Sequence, residues 1–493
     1  MKRFFSNPLV ALLAGACVRV FFVLFALKYP PNSGDTVLYD QFATNWLKLG
    51  KFAMDINGVP TPVDLRMPGY PAFLAIVYTL TGRNGDRARL PVTLAQIVVD
   101  LATCLIIASL AAFLAGLAGQ QQKSRRVFAF ALWLAALCPF IANYVAVPLT
   151  EVWAVFFTAI AFYLLAGLAT LLSCKKAPGP TGFSMKMWPT DDPLRLALFA
   201  GLVIGLGTLF RPEAPLLLVT TVPVLGFLLL LQSQFATWIR VSAVLGFACI
   251  AVLLPWTIRN AITLHEFQPL APKDATLPSE VDPKGFMAWE RTWLYRMRDT
   301  YLVTWKLNDE EIHIEDIPSS AFDNQQERDR VAAILEKYND DLTWNVDEDV
   351  QFAQLARERT ARHPLRTHLW IPLRRTVRIW FTPRIELLPV AGHVFPLAYQ
   401  HEEDPVDQHV TILFFFANVF FVGLALWGIW KIWRFPTARP AVAVLLVYIL
   451  VRTAFLTTLE APEPRYTLVC FPALLAFGAQ VAWRKQSSGG KDR

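Results

Sequence analysis

The sequence predicts an all-α polytopic membrane protein, with about ten spanning helices and a small, mostly helical extracytoplasmic domain. Composition is the first ground: of 493 residues, 55% are hydrophobic and 17% charged, and the mean hydropathy of +0.39 is too high for an ordinary soluble surface. The second is a series of apolar runs long enough to cross a bilayer, which takes ~20 residues. The third is that Lys and Arg gather in the short loops between those runs, a topology signal. The net charge of +7 therefore reflects orientation, and nucleic acid is not an expected partner.

Taken in order, the expected spans are 7–28, 91–117, 126–147, 150–172, 195–210, 212–231, 238–258, 410–433, 439–458 and 464–483. The first run follows Lys2 and Arg3 but carries Arg19 and ends at Tyr29-Pro30-Pro31 without a small-residue cleavage site, so it reads as an uncleaved span. Arg211-Pro212-Glu213 and Pro215 divide the apolar stretch 195–231 into two helices. The apolar stretch 68–82 reads as an interfacial helix, because counting it as a span would move Lys123, Arg125 and Arg126 outside. Those three, with Lys2, Arg3, Lys175, Lys176, Lys186, Arg240, Lys431, Arg434, Arg439, Arg484 and Lys485, then fall on one side, the cytoplasm. Both termini lie there, in the plasma (inner) membrane, and the polar stretches 29–90 and 259–409 lie outside.

The chain accordingly divides into a membrane module, 1–258, which includes the external loop 29–90; an external domain, 259–409; and C-terminal spans with a cytoplasmic tail, 410–493. In the external domain, Asp323 to Tyr338 and Asp347 to Arg362 have helical periodicity, while 365–381 mixes Arg with Trp, Ile and Leu as either a helix on a headgroup layer or a plain amphipathic packing helix does. The six cysteines are scattered through apolar runs, without CxxC spacing, and read as small core residues. The seven histidines have no metal-ligand spacing; His363, His368, His393 and His401 are expected on the outer surface.

Charge at the outer ends of the spans carries the chemistry. Asp35 and Asp40, Glu151, Arg211 and Glu213, Arg259, and finally Glu460, Glu463 and Arg465 come from chain-distant segments, yet the topology sets them at one depth. A carboxylate can act there as a base on an acceptor hydroxyl, and guanidinium groups can grip a phosphate in bidentate fashion. A sugar donor carried on a lipid phosphate would be presented at that depth, since its tail is buried. A transporter or lipid flippase is the alternative, but such proteins place substrate groups near the midplane on broken helices in repeated halves. Deeper in the membrane, Arg19 and Asp100 each lie about nine residues, or roughly 14 Å, from the outer ends of their spans and are expected to pair.

Six motifs in order, GDTVLYDQFATNWL (34–47), RMPGYPAFLA (66–75), LTEVW (149–153), GLGTLFRPEAPLLL (205–218), PWTIRN (255–260) and PEPRYTLVCFPALL (462–475), resemble the dolichyl-phosphate-mannose protein mannosyltransferase superfamily. The closer resemblance is to the bacterial members of glycosyltransferase family 39, which include the aminoarabinose transferases acting on lipid A. The external domain matches only loosely, through GFMAWERTWL (285–294) and RRTVRIWFTPR (374–384). The resemblance implies a GT-C fold and inverting transfer from a polyprenyl-phosphate sugar to an acceptor hydroxyl at the outer face. By position it makes Asp35 the base and Glu151 the second acid, which in relatives helps to hold the acceptor or a divalent metal. It puts Arg66 near the donor phosphate, with Arg211, Arg259 and Arg465 as further phosphate ligands. Asp40, Tyr70, Glu213, Glu463 and Tyr466 complete the candidate set. The chain has Asp35-Thr36 where the mannosyltransferases have paired Asp-Glu, and Arg66-Met-Pro-Gly69 where the aminoarabinose enzymes have Glu-Lys-Pro-Pro. Neither substrate is therefore implied.

Overall fold

The computed structural model describes residues 7–30, 34–173, 191–272, 280–390 and 405–483. Lys2, Arg3, Pro31, Lys175, Lys176, Lys186, Arg484 and Lys485 from the orientation argument, together with Cys174, His393 and His401, lie outside the described residues. The chain is an all-α, multi-pass membrane protein. Among the described residues, eight helices are long and apolar enough to cross a membrane: Pro8–Lys28, Gly85–Leu117, Glu151–Ser173, Pro193–Phe210, Phe235–Thr263, Pro405–Ile432, Arg439–Thr457 and Pro464–Ala482. A ninth would be the pair Ser124–Ala136 and Pro139–Ala146, bent by 50°.

The structure differs from the expected spans in two places. The run 126–147 is not straight, because Pro139 has no N–H to give to the turn before it and the helix stops at Ala136. The run 212–231 begins as a helix only at Leu216, since Arg211 to Pro215 are used in a turn. The remaining Leu216–Leu230 spans roughly 22 Å at the helical rise, short of the usual membrane core of ~30 Å. Gly69–Thr81, the expected interfacial helix, is shorter still.

The chain forms two compact units, one comprising Met1–Pro272, Pro383–Ile449 and Leu468–Arg493, the other Lys273–Thr382 with Leu450–Thr467. The first is a helical bundle whose closest approach is made by small residues. A Cβ on Gly201 would lie 2.3 Å from the carbonyl oxygen of Leu245, and one on Gly205 would lie 2.8 Å from that of Cys249. The helices Pro193–Phe210 and Phe235–Thr263 therefore touch backbone to backbone, the packing expected where lipid removes the hydrophobic drive between helices. The expected Arg19–Asp100 pair is present, with Arg19 Nε 2.5 Å from Asp100 Oδ2 and both side chains buried. Arg19 also donates to the carbonyl oxygens of Gly15, at 3.0 Å, and Ala136, at 2.6 Å, and to Cys104 Sγ, at 3.2 Å. It thus satisfies both a buried carboxylate and a carbonyl freed by the bend after Ala136. Among the described residues Cys17, Cys104, Cys138, Cys249 and Cys470 are thiols, and all but Cys17 are buried.

The second unit has its own aromatic core, built on Phe286, Trp289, Trp293, Tyr338, Trp344 and Phe352. Its two main helices are Gln325–Asn339, capped by Asn324, and Val346–Arg362, which begins with a capping box between Asn345 and Glu348. Glu290 is fully buried beneath them and accepts a 2.5 Å hydrogen bond from Thr304 Oγ1. Burial pushes its carboxyl up to about 8, assisted by the nearby Glu460 and opposed by Thr304, Arg375 and Arg291.

Two predictions come from these buried charges. Asp100→Ala leaves Arg19 as an uncompensated charge and should destabilise the fold by ~3–5 kcal/mol, read as a loss of folded, monodisperse protein after detergent extraction. For Glu290, the unfolded chain loses a proton near 4.5 and the folded chain near 8, so stability falls as pH rises through that window. Glu290→Gln should therefore unfold later than the parent at pH 9, by ~10 °C or more, since a rise from 4.5 to about 8 is worth ~5 kcal/mol of pH-dependent stability, and the two should converge at pH 4. A parent whose unfolding temperature does not fall between these pH values would refute the assignment.

Candidate active site

The site residues of the first unit are set by where helices begin and end. Asp35 lies in the first turn of Gly34–Leu49 and Glu151 is the first residue of Glu151–Ser173, so each carboxylate sits at the positive end of a helix. Arg211 follows the last turn of Pro193–Phe210 in extended conformation, and its N–H closes that helix on Gly207. Arg66 lies in the irregular stretch before Gly69–Thr81. That helix is held tightly to its neighbour: a Cβ on Gly69 would be 2.6 Å from the carbonyl oxygen of Leu209. The backbone after Arg66 is therefore pressed against the backbone before Arg211.

Two ion pairs form. Arg66 Nη2 donates to Asp35 Oδ1 at 2.9 Å, and both side chains keep about a quarter of their surface exposed. Arg211 bonds to Glu151 through Nη2 and donates through Nε to Thr150 Oγ1 at 3.0 Å, while its Nη1 lies 3.6 Å from Glu213 Oε1. Tyr39 joins the pairs. Burial pushes its hydroxyl up to about 12; the carboxylates of Asp35 and Glu151 add to the rise, and Arg66 and Arg211 oppose it. Tyr39 shares one apolar cluster with Leu149, Trp153 and Phe210, so the segments that carry Asp35, Glu151 and Arg211 pack together although they are separate stretches of chain.

The Tyr39 ring packs edge to face on Tyr70, with centroids 5.1 Å apart. Tyr70 donates its hydroxyl to Gln96 Oε1 at 2.8 Å, and Gln96 Nε2 donates to the carbonyl oxygens of Val145 and Val147, both at 3.0 Å. These carbonyls belong to the irregular chain that leads into Glu151. Gln96 therefore links the phenol stack to the segment that carries the second acid. The segment following Pro383 also reaches this region. Arg384 donates to Asn418 Oδ1 at 3.1 Å and stacks on Phe471, Glu386 accepts from the Tyr144 hydroxyl at 2.7 Å, and Leu387 packs on the cluster that contains Tyr39 and Tyr70.

Other candidates have different partners. Asp40 accepts from Tyr78 at 2.7 Å and from the Gly85 N–H at 3.1 Å, tying Gly34–Leu49 to the end of Gly69–Thr81. Arg259 donates to the carbonyl oxygens of Val63 and Phe52, at 2.9 and 2.6 Å, and lies over the rings of Phe52 and Trp256. It clamps the ends of the hairpin Ala53–Ile56 and Val59–Pro62. In the second unit, Glu463 pairs with Arg465 and accepts from the Tyr466 hydroxyl at 2.5 Å, while Glu460 pairs with Arg291 at 3.2 Å. Among the described residues no three His, Cys, Asp or Glu side chains gather as a metal-ligand set.

Sequence reasoning missed Tyr39, Thr150, Gln96 and Glu386. A signal existed for Gln96: with Asp100 it places polar groups at i and i+4 within an otherwise apolar run, which marks one face of a span as inward-facing.

No family model and no curated protein matches the chain. Among solved structures it is similar to the archaeal oligosaccharyltransferase AglB from Archaeoglobus fulgidus, in complex with an inhibitory peptide and a dolichol-phosphate. The identity is 12% over 97% of this chain and 50% of that one, with a TM-score of 0.49. ArnT from Cupriavidus metallidurans bound to undecaprenyl phosphate matches at 13% identity over 95% of this chain and 77% of that one, with a TM-score of 0.39. The chain spans about half the length of the archaeal protein.

Gln96→Leu should remove the hold on Val145, Val147 and Tyr70 while keeping the volume of the side chain. The expected outcome is a loss of order in residues 143–151, detected as at least tenfold faster amide exchange there than in Glu151–Ser173. Equal exchange in variant and parent would show that the segment needs no such anchor.

Proposed function

We propose that the chain is an inverting glycosyltransferase of the GT-C type, which moves a sugar from a polyprenyl-phosphate donor to an acceptor hydroxyl at the outer membrane face. The observation that carries this reading is the meeting of Asp35, Arg66, Glu151 and Arg211 around Tyr39. The ordered motifs that resemble glycosyltransferase family 39 supply the reaction class. The basic loops supply the orientation, with both termini cytoplasmic and the site outside.

In this reading Asp35 is the base. Its carboxylate lies in the first turn of a helix, paired with Arg66, and with about a quarter of its surface exposed it can meet an acceptor hydroxyl. Arg66 holds that carboxylate while the donor is absent. A lipid phosphate competing for the Arg66 fork would release one carboxylate oxygen for the acceptor proton and leave the guanidinium on the departing phosphate. The acceptor oxygen attacks the anomeric carbon as its proton passes to Asp35, and the bond from that carbon to the phosphate oxygen breaks with its electron pair on the phosphate. Arg211, already shared between Glu151 and Glu213, is the second cation for the developing charge. Glu151 orients Arg211 and helps to hold the acceptor. Asp40 and Arg259 position the first external loop, Tyr70 supports Tyr39, and Arg465 with Glu463 and Tyr466 is a further phosphate-binding set.

Asp35→Asn keeps the shape of the side chain and removes its basicity. Transfer from a radiolabelled polyprenyl-phosphate sugar in membranes should fall ~10²–10⁴-fold, with donor binding at least as tight as in the parent, because Arg66 no longer has a carboxylate competing with the phosphate. Unchanged transfer would remove Asp35 as the base. A parent protein that transfers no sugar but moves the labelled lipid between leaflets would replace the reading with that of a flippase.

A further inference from the structure

The helix Ile371–Trp380 in the second unit has an unusual arrangement of its two faces. Its inward face carries Ile371, Arg375, Ile379 and Trp380, all buried. Arg375 is the pin: its guanidinium donates to the carbonyl oxygens of Leu294 at 2.7 Å, Thr457 at 3.0 Å and Arg291 at 3.3 Å. Trp380 Nε1 donates to Thr453 Oγ1 at 3.0 Å. With these groups fixed inward, helical geometry turns Leu373, Val377 and, just before and after the helix, Trp370 and Phe381 outward. They are exposed: Trp370 keeps 57% of its surface, Val377 55% and Leu373 47%. A soluble surface does not leave such a stripe bare, since large apolar patches mark a binding face.

Two observations identify what covers it. Thr453 and Thr457 belong to the last turns of Arg439–Thr457, one of the membrane-crossing helices. The exposed stripe is thus anchored at the end of a span, at headgroup height. The edge of the stripe is also strongly basic. Arg374 and Arg296 flank the Tyr295 ring, at 5.3 and 5.2 Å from its centroid. Arg374 and Arg378 are themselves exposed on the helix, and the charges of Arg296, Arg298 and Arg378 counter the effect of burial on the Asp299 carboxyl. An apolar stripe with arginines along one border is the pattern of a helix lying in an anionic headgroup layer, its rings and methyl groups toward the acyl chains and its guanidinium groups on lipid phosphates.

We propose that Trp370, Leu373, Val377 and Phe381, together with Arg296, Arg374 and Arg378, form a binding surface for anionic phospholipids that seats the second unit on the bilayer. It is separate from the residues assigned to sugar transfer and stands whether or not that assignment holds.

The test uses the full-length protein with Cys17→Ser and a spin label at Val377→Cys, in nanodiscs of phosphatidylcholine with or without phosphatidylglycerol. A label at Gln354→Cys, an exposed position of the same unit, is the aqueous reference, and the unsubstituted parent supplies the labelling background. In discs containing phosphatidylglycerol, the label at 377 should collide with dissolved oxygen in preference to an aqueous nickel chelate, by a ratio at least fivefold above that at 354. Arg374→Gln with Arg378→Gln should lower the phosphatidylglycerol co-purifying with the protein by roughly fivefold per arginine and leave phosphatidylcholine unchanged. A label at 377 as open to the nickel chelate as that at 354 would overturn the proposal. A label shielded from both reagents would also overturn it, because the stripe would then be covered by protein. Equal loss of both lipids in the arginine variant would remove the anionic preference.

Discussion

The first unit depends on one constraint: a helix that stops inside an apolar run frees carbonyl groups that lipid cannot satisfy. Pro139 imposes the stop, and the chain from Cys138 to Thr150 then runs without regular α-helix for most of its length. Arg19 takes the carbonyl of Ala136, and Gln96 takes those of Val145 and Val147. A cation buried this deeply would be intolerable alone, and Asp100 balances it. The carbonyls of Ala136, Val145 and Val147 are thus satisfied despite the break in the run, and the next helix starts with Glu151 at its tip, its neighbour Leu149 packed in the cluster of Tyr39 and Tyr70.

The charged groups around Tyr39 follow a second economy. Each guanidinium is already engaged by a carboxylate, so neither cation is left bare near the membrane, and neither acid carries an unbalanced charge. The Arg66–Asp35 pair keeps about a quarter of its surface in solvent, whereas Glu151 is buried and depends on Arg211 to balance its charge. In the proposed reading both pairs also leave the site responsive to an incoming anion, since two oxygens of a tetrahedral phosphate offer a guanidinium the same two-pronged partner that a carboxylate does. Backbone contact fixes the spacing of the two cations, because Gly69 lets the helix after Arg66 rest on the strand of chain before Arg211.

Much of this was legible in the residues. Long apolar runs revealed most of the spans, and equal depth revealed the Arg19–Asp100 pair. The helical period exposed both main helices of the second unit, which run Gln325–Asn339 and Val346–Arg362. What escaped depends on contacts made at a distance. The bend at Pro139 was written in the sequence but masked by the apolarity on either side. The short length of Leu216–Leu230 followed from how many residues the Arg211–Pro215 turn consumes, which composition does not reveal. The partners of Arg259 and Asp40 turned out to be a hairpin and a helix end; a charge near a span end looks the same in sequence whether it faces a ligand or holds a loop.

The segment at Glu386 and Leu387 adds a constraint in time. Glu386 meets Tyr144 across 242 positions of chain, and at cellular translation speeds of ~5–20 residues per second that gap lasts roughly 10–50 s. Through that interval the nascent bundle holds the Tyr144 hydroxyl and one wall of the Tyr39 cluster without their eventual neighbours. The ribosome must finish the long segment of the second unit, Lys273–Thr382, before this part of the first can close, so a truncation anywhere within residues 280–385 would strand the earlier helices in the bilayer with an unfinished interior, open to quality-control proteases.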